Sequence, residues 1–471
     1  MKLLEHYKRN KIIYLIVIFI ILFALAFVLR LFPIRIAHWW DETVYLQHAE
    51  ILFSGRTNYN EFSFRPPLLP IIFFLFFFIK HSVVTASFVT ALFGALFPVF
   101  VFLIGKKIYN LETGIIAGLI ATFAPFIVLN SNYLLTDVPA LTLISMSFYL
   151  ALYKENKYLL FLSGVFLSLS ILMKFTLILM TPILLLYLLL YKVKFNQILI
   201  FGIGAFLAIL PYLIWAQFYF GSFLTPFIKG SQMVGDTNEY LFYYFNNINE
   251  AFTILIPVGL ILFFILYSYR LIKKDYRNLR INIVMACWII IFFFYLSITP
   301  HKELRYILPI AIPIILLASN GFVLLFSKFN KRLKAILMVV IILYIFSFMF
   351  STYGWEVINA GNFVNQSESD EMVLSKYILN DLNYAGIIYT NQRYPVIAYY
   401  TGLETRQLWP YNNSFYQLIP IIMPDSGLII GMFGVKNPQP LYLDRDPRFQ
   451  YANEIGDFFI YNYTPSNFSR T

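Results

Sequence analysis

The chain has 471 residues, 60% of them apolar and 13% charged, with a mean hydropathy of +0.71 and a formal net charge of +11. Soluble domains average roughly 45–50% apolar residues, so this composition excludes a water-soluble globular protein and predicts a chain that lies largely in lipid. Residues 1–352 hold 28 Lys and Arg against 13 Asp and Glu, whereas residues 353–471 hold 7 against 11; the basic excess belongs to loops beside lipid, and no basic patch of a nucleic-acid-binding protein is present.

In chain order, residues 12–32 form the first apolar run, preceded by Lys2, Lys8, Arg9 and Lys11. No small-residue cleavage site follows it, so it reads as a retained first helix with a cytoplasmic N-terminus rather than a signal peptide. Segment 66–79 (PPLLPIIFFLFFFI) reaches only about 21 Å as a helix, short of the ~30 Å hydrocarbon core, and reads as an interfacial helix. Further apolar runs occupy roughly 83–105, 114–131, 137–153, 158–173, 175–191, 197–219, 251–271, 281–299, 307–327 and 335–352. About eleven transmembrane helices are therefore expected. The loops at 106–107, 154–157, 192–194, 270–280 and 328–334 carry most of the later Lys and Arg and are placed in the cytoplasm; residues 33–82, 132–137, 220–250, 300–306 and the tail are placed outside. The lone cysteine, Cys287, sits in an apolar run and reads as a packing residue.

From about residue 353 the composition changes. Residues 368–382 have helical periodicity, and GIIYT (386–390), GLIIG (427–431) and DFFIYN (457–462) read as short strands. A small extracytoplasmic α/β domain is expected over 353–471, after a membrane module of 1–352. The glycosylation sequons at Asn365, Asn412, Asn462 and Asn467 all fall in this tail, in keeping with an outer location.

Chemistry-bearing residues are sparse and gather in the outer segments. The first outer loop spans about 50 residues, too many for a mere connector. Asp41 and Glu42 follow the first span beside Trp39 and Trp40. The tryptophans suit a membrane-interface belt, and residues 42–53 read as a short amphipathic helix at that interface. A carboxylate near the bilayer surface loses solvation and holds its proton more tightly, which suits a general base; a solvated loop acid is the plainer reading of Asp41. The stretch HKELRY packs His301, Lys302, Glu303, Arg305 and Tyr306 into residues 301–306. Such a turn either anchors the chain at the interface or meets an anion, and a lipid phosphate or diphosphate supplies one. Arg65, Lys174 and Lys229 extend this cationic set. Asp137, in NYLLTDVPA, opens a helix and reads either as a capping acid or as a site residue. His38, Asp41, Glu42, Asp137 and His301 fit no strong zinc spacing. No cofactor is called for, although a divalent metal ion at Asp41 and Asp137 stays open.

A sugar carried on a lipid phosphate brings its own leaving group, so its transfer needs cations near the phosphate and one base for the incoming hydroxyl. One carboxylate with several cations suits this better than the paired carboxylates of glycoside hydrolysis, and direct displacement inverts the anomeric centre. The competing readings are a transporter or flippase, which would carry charge in mid-span and matched interrupted halves, and a membrane-anchored binding or assembly protein. Loop 220–250 reads either as a cover over bound donor or as a passive connector.

The Asp-Glu pair after the first helix, Arg65-Pro66-Pro67-Leu68, the Asp of LLTDVPA and the basic turn before a Pro-bearing span together resemble the GT-C glycosyltransferases. The nearest likeness is to the protein O-mannosyltransferases (glycosyltransferase family 39) and the lipid A aminoarabinose transferases, over roughly residues 1–352. The resemblance implies a polyprenyl- or dolichyl-phosphate sugar donor, a protein, lipid or glycan acceptor, and inverting transfer outside the cytoplasm. It implies Asp41 as general base with Glu42 as its partner, Asp137 shaping the acceptor or base site, and Arg65 near the donor phosphate; Lys174, His301, Lys302, Arg305 and Tyr306 complete the expected phosphate site. HKELRY is also similar to the His-Lys-Glu turn of lipid-linked-oligosaccharide mannosyltransferases, which keeps that sister family as an alternative. HWWDE at 38–42 is similar to the Trp-Trp-Asp motif of oligosaccharyltransferases, but there the motif sits in a C-terminal soluble domain, so the likeness is read as coincidence.

Overall fold

The computed structural model describes residues 11–31, 38–54, 65–232, 240–251, 254–349, 368–390, 393–407, 425–432 and 446–465. Lys2, Lys8, Arg9, the middle of loop 220–250 and the sequons at Asn365, Asn412 and Asn467 lie outside these residues. The chain divides into two compact units, one of Met1–Ile34 with Ile51–Ala360 and one of Arg35–Glu50 with Gly361–Thr471. The sequence reading kept the whole first outer loop with the membrane module; the structure instead groups Arg35–Glu50, which carries Asp41 and Glu42, with the tail.

The first unit is helical. It holds α1 (Lys11–Leu31), then α3 (Leu68–Phe77), α4 (Val83–Ile108), α5 (Leu111–Phe123), α6 (Pro125–Asn132), α7 (Asp137–Ala151) and α8 (Lys157–Met173). A 3-10 turn at Phe175–Leu179 leads into α9 (Met180–Leu190), α10 (Phe195–Phe220), α11 (Thr225–Gln232), α12 (Tyr243–Ala251), α13 (Leu255–Ile272) and α14 (Leu279–Ile298). A second 3-10 turn, Leu304–Ile310, leads into α15 (Ala311–Phe326), and α16 (Lys331–Met349) is the last described helix of the unit. The remaining helix, α2 (Trp40–Phe53), begins in the second unit and ends in the first.

Among the described residues, six helices are long and apolar enough to cross a membrane, or seven if a bent pair counts as one span. The shorter α7 and α8, of 15 and 17 residues, reach about 22–26 Å. Segment 66–79 is the short helix expected, ten residues long. The run 114–131, expected as one span, is two helices, α5 and α6, bent by 53° at Ala124. Pro125 has no N–H and starts α6 at its first turn, where its fixed φ is favoured. Proline alone does not decide such a break, because Pro98 and Pro211 lie inside unbroken α4 and α10.

Burial separates inner from outer helices. Within the span Leu304–Phe326 the most apolar 18-residue window is buried throughout, whereas only 11% of the α10 window is. Phe206, Leu207, Ile214 and Phe218 on α10 are exposed, as expected of side chains that face lipid. At the α13–α15 crossing a Cβ on Gly321 would stand 2.1 Å from the Gly259 carbonyl oxygen; only glycine permits this approach, which gains close packing where the hydrophobic effect between helices is absent. Helices α7 and α8 are joined by reciprocal bonds, Ser147 Oγ to the Ser163 carbonyl and Ser163 Oγ to the Ser147 carbonyl, each 2.8 Å.

The second unit contains the small α/β fold expected of the tail. Among the described residues its five strands are β1 (Ile387–Thr390), β2 (Thr405–Gln407), β3 (Gly427–Met432), β4 (Phe449–Ile455) and β5 (Phe458–Tyr463), in the order β2-β1-β3-β5-β4. β1 is parallel to β2 and β3, and β5 is antiparallel to β3 and β4. Two helices accompany them, α17 (Asp370–Lys376), continued by a π turn, and α18 (Tyr394–Thr401). Alternate strand residues Ile388, Leu428, Ile430, Phe458 and Ile460 share a core with Leu374, Ile378 and Ile397 of the helical segments. Sequence periodicity anticipates β1, β3 and β5; β2 and β4 are short or polar and carry no such signal.

Candidate active site

In the first unit, Asp137 stands on the first turn of α7 and is only 3% exposed. The Lys174 ammonium pairs with its Oδ1, and Arg305 Nη1 lies 3.7 Å from Oδ2. Lys174 reaches it because the chain turns to extended geometry, φ −153°, where α8 stops and the 3-10 turn begins. Asp137 is thus not the capping residue of α7, which is Thr136; it gathers two cations from distant segments. A negative charge at a helix N-terminus is favoured in any case, and the pair supplies the compensation that a buried carboxylate requires.

Arg305 is held in turn by Glu303. Its Nε donates to Oε2 at 2.5 Å and Nη2 to Oε1 at 3.1 Å. The Tyr306 hydroxyl donates to the same Oε1 at 3.1 Å, and His301 Nε2 lies 3.0 Å from it. Glu303 is therefore the hub of the HKELRY turn, a role the sequence reading did not assign to it. The signal was present as an acid inside a basic cluster, which spacing alone could not distinguish from a surface ion pair. Lys174 and Arg305 also lie over the Tyr306 ring, at 4.9 and 5.4 Å, a cation–π arrangement that steadies both. Lys302 is buried and donates to the Thr299 carbonyl at the end of α14, 2.7 Å away; that bond gives it a capping contact at the turn's entry. Tyr244 of α12, also missed from sequence, is fully buried. Burial, with Tyr243 close by, pushes its phenol above the ordinary range. Arg65 is half-buried, shortly before α3, and Lys229 is exposed on α11.

In the second unit, Asp41 and Glu42 occupy the first turn of α2. Asp41 is half-buried, while Glu42 is fully buried. Glu42 Oε2 accepts the backbone N–H of Trp39 at 2.7 Å, and Oε1 lies 3.9 Å from His38 Nδ1. An acid at the third helical position that reaches back to the capping residue is one half of a capping box. This geometry assigns Glu42 a helix-starting role. Helix α2 buries Thr43, Val44, Tyr45, Leu46, His48 and Ala49 in near succession, so it is enclosed on most sides rather than amphipathic. Within this unit the Tyr400 hydroxyl accepts the His38 N–H at 3.0 Å, Gln47 donates to the Pro395 carbonyl at 2.6 Å, and the Trp40 and Tyr394 rings meet edge to face at 5.0 Å. Burial, with Tyr400 and Glu50 adding, raises the Tyr399 phenol above its ordinary value.

Among the described residues, no three His, Cys, Asp or Glu side chains gather as a metal site. Asp137 is faced by Lys174 and Arg305, cations where a divalent ion would need further oxygen ligands. The side chains around Asp137 therefore do not fit a metal centre.

Solved structures decide the fold. ArnT from Cupriavidus metallidurans, bound to undecaprenyl phosphate, matches with a TM-score of 0.71 at 12% identity, covering 96% of this chain and 98% of that one. The chain has the GT-C glycosyltransferase fold. The Archaeoglobus fulgidus oligosaccharyltransferase tethered to an acceptor peptide matches with a TM-score of 0.62 at 11% identity, over 88% of this chain and 69% of that one. The same organism's AglB in complex with an inhibitory peptide and a dolichol-phosphate gives 0.60 at 12% identity, over 98% and 75%. A family model described as dolichyl-phosphate-mannose-protein mannosyltransferase matches residues 64–215, a stretch that contains Arg65, Asp137 and Lys174. No curated protein matches the chain in sequence. With this fold and its long apolar helices, the chain is an integral membrane protein.

Proposed function

We propose that the protein is an inverting glycosyltransferase that moves a sugar from a polyprenyl- or dolichyl-phosphate donor to an acceptor hydroxyl on the outer face of the membrane. The observation that carries this reading is the convergence of Lys174 and Arg305 on buried Asp137, with Glu303 fixing the Arg305 guanidinium. Preorganised cations stabilise a departing phosphate without reorganising as charge develops. Two similar folds support it by the lipid phosphates they hold, undecaprenyl phosphate in ArnT and dolichol-phosphate in AglB.

In this reaction the donor phosphate meets Lys174 and Arg305, with His301, Tyr306 and Arg65 completing its surroundings. Asp41 takes the proton of the acceptor hydroxyl. The acceptor oxygen attacks the anomeric carbon opposite the phosphate, the bond from that carbon to the phosphate oxygen breaks, and the lipid phosphate leaves with the bonding pair. Asp137 keeps the two cations charged and oriented. Glu42 serves as a positioning residue that starts α2 and thereby sets Asp41.

The test uses purified full-length protein with a polyprenyl-phosphate sugar. Asp41→Asn is expected to bind undecaprenyl phosphate as wild type does while turnover falls at least about 100-fold, the lower range for a lost general base. Arg305→Gln is expected to weaken that binding about tenfold or more. Full transfer by the Asp41 variant removes Asp41 from the mechanism, and unchanged lipid binding by the Arg305 variant removes the phosphate site.

A further inference from the structure

Helices α14 and α15 link the Asp137 region to a second polar place. α14 ends at Ile298, just before the HKELRY turn, and begins at Leu279. Its 20 residues cover about 30 Å, the thickness of a hydrocarbon core. At its starting end lies a cavity of about 360 Å³ lined by Arg270, Arg277, Tyr109, Asn110, Asn278 and Asn320, among others.

Three features of this cavity favour an anion. The first is charge. Arg270 and Arg277 share a single acid, Asp275, which holds Arg277 through both carboxylate oxygens, at 2.7 Å from Nη2 to Oδ2 and 2.9 Å from Nε to Oδ1; Arg270 Nε stands 3.9 Å from Oδ2. Two cations against one carboxylate leave a net positive charge. The second is backbone. Asn110 and Asn278 are the capping residues of α5 and α14, so two helix N-termini open on the cavity. Asn110 caps α5 through Thr113 N–H, but Asn278, at φ +62°, provides α14 with no side-chain cap. Uncapped N–H groups at a helix start attract anions. The third is Asn320. It is only 6% exposed and lines the cavity. Its side-chain NH2 offers donors to the oxygens of an anion held there.

We propose that this cavity binds a phosphate-bearing anion, either a lipid head group or a soluble phosphate, at the membrane face opposite the Asp137 cluster. The Leu279 N–H is already taken by the Tyr276 carbonyl at 3.1 Å, so the guanidinium groups of Arg270 and Arg277, the next N–H groups of the first turn of α14 and the Asn320 amide donate to its oxygens. Basic pockets between transmembrane helices are suited to such head groups. This binding involves none of the residues assigned to sugar transfer and stands apart from that reaction.

Native mass spectrometry of the full-length protein with added phosphatidylglycerol, and separately with phosphatidylcholine, tests the lipid source; thermal stabilisation by inorganic phosphate tests the soluble one. Wild type is expected to retain one of the two phosphate probes at least about tenfold better than phosphatidylcholine, and whichever probe binds identifies the source. The Arg270→Gln/Arg277→Gln double variant and Asn320→Leu are expected to lose that binding about tenfold. Lys331→Gln/Arg332→Gln, two exposed cations on α16, removes the same charge elsewhere and should leave it intact. Arg277→Gln alone, at a side chain 75% exposed, supplies the measurement if the other cavity variants do not fold, with a loss of about threefold or more expected. The proposal is overturned if neither probe binds selectively, if cavity variants that fold bind as wild type does, or if the α16 control loses as much as they do.

Discussion

Arg30 Nη2 donates to the carbonyl of Ala121 at 3.0 Å, the acceptor that Pro125, four residues on, cannot serve because it has no N–H. Nη1 donates to Thr122 O at 3.2 Å and to Ala26 O at 3.1 Å, and Nε donates to Ser131 Oγ at 3.2 Å. One guanidinium thus spans the break between α5 and α6, and α6 is the element that leads into Asp137. Gly94 makes room for it: a Cβ there would stand 2.6 Å from Arg30 Cδ. Arg30→Met should leave the two carbonyls at the break without these donors and destabilise the protein by about 2 kcal/mol. Thermal unfolding in detergent measures this, and hydrogen exchange should quicken over residues 121–132. An unchanged melting point and exchange pattern would remove the bridging role.

The Asp137 pair gives a second prediction. Asp137→Asn leaves Lys174 and Arg305 without their shared counterion in a mostly buried place, which should cost about 3 kcal/mol. Adding Lys174→Met should restore part of the loss, because it removes the uncompensated charge. A double-mutant cycle on unfolding midpoints gives the coupling; strictly additive losses would show that the two side chains do not act as a pair.

Asp41 and Glu42 should separate cleanly. Glu42→Ala removes the capping bond to the Trp39 N–H and should destabilise by about 1 kcal/mol. Glu42→Gln keeps an acceptor oxygen and should recover most of that stability and most of the transfer activity. Asp41→Asn should leave the melting point near wild type and lower transfer at least about 100-fold. If Glu42→Gln is as inactive as Asp41→Asn at unchanged stability, Glu42 is part of the chemistry rather than of the helix start.

Asp275 sets a pH dependence. Hydrogen bonds from Arg277 hold its carboxyl down at about 2, below the ordinary 3.8. Because the folded value is the lower one, the stabilising contact is fully present above the ordinary value and is lost as pH falls from there toward 2. The difference in melting point between wild type and Asp275→Asn should therefore be constant from pH 7 to 5 and shrink below pH 4. A difference that is flat down to pH 3 would mean that the Arg277 contact is not formed in solution.

The membrane orientation is open to direct measurement. Single cysteines introduced at 107 and 229, after Cys287 is replaced, should react from the cytoplasmic and the outer side respectively with a membrane-impermeant reagent. Labelling of position 107 from outside would reverse the topology and move the proposed transfer reaction to the other face.

Local chemistry accounts for what could be read without coordinates. Long apolar runs specify membrane helices because a helix is the structure that pairs its own backbone groups in lipid. Alternating apolar residues specify β1, β3 and β5 because successive strand residues face opposite sides. The outer-segment acids and cations stand out because charge beside lipid is scarce. By itself, then, the sequence determined a helical membrane module, an α/β tail and a short roster of ionisable residues that contains Asp137, Lys174 and Arg305. Tertiary structure alone decided how that roster is used. Whether Pro125 breaks a helix, as Pro98 and Pro211 do not, depends on an arginine 95 positions earlier in the chain that satisfies the freed carbonyls. Whether an acid serves as counterion, cap or hub depends on which donors the fold brings to its two oxygens: Lys174 and Arg305 for Asp137, the Trp39 N–H for Glu42, and Arg305, Tyr306 and His301 for Glu303. These are contacts between residues distant in sequence or fixed by one particular turn, and residue type and spacing do not encode them.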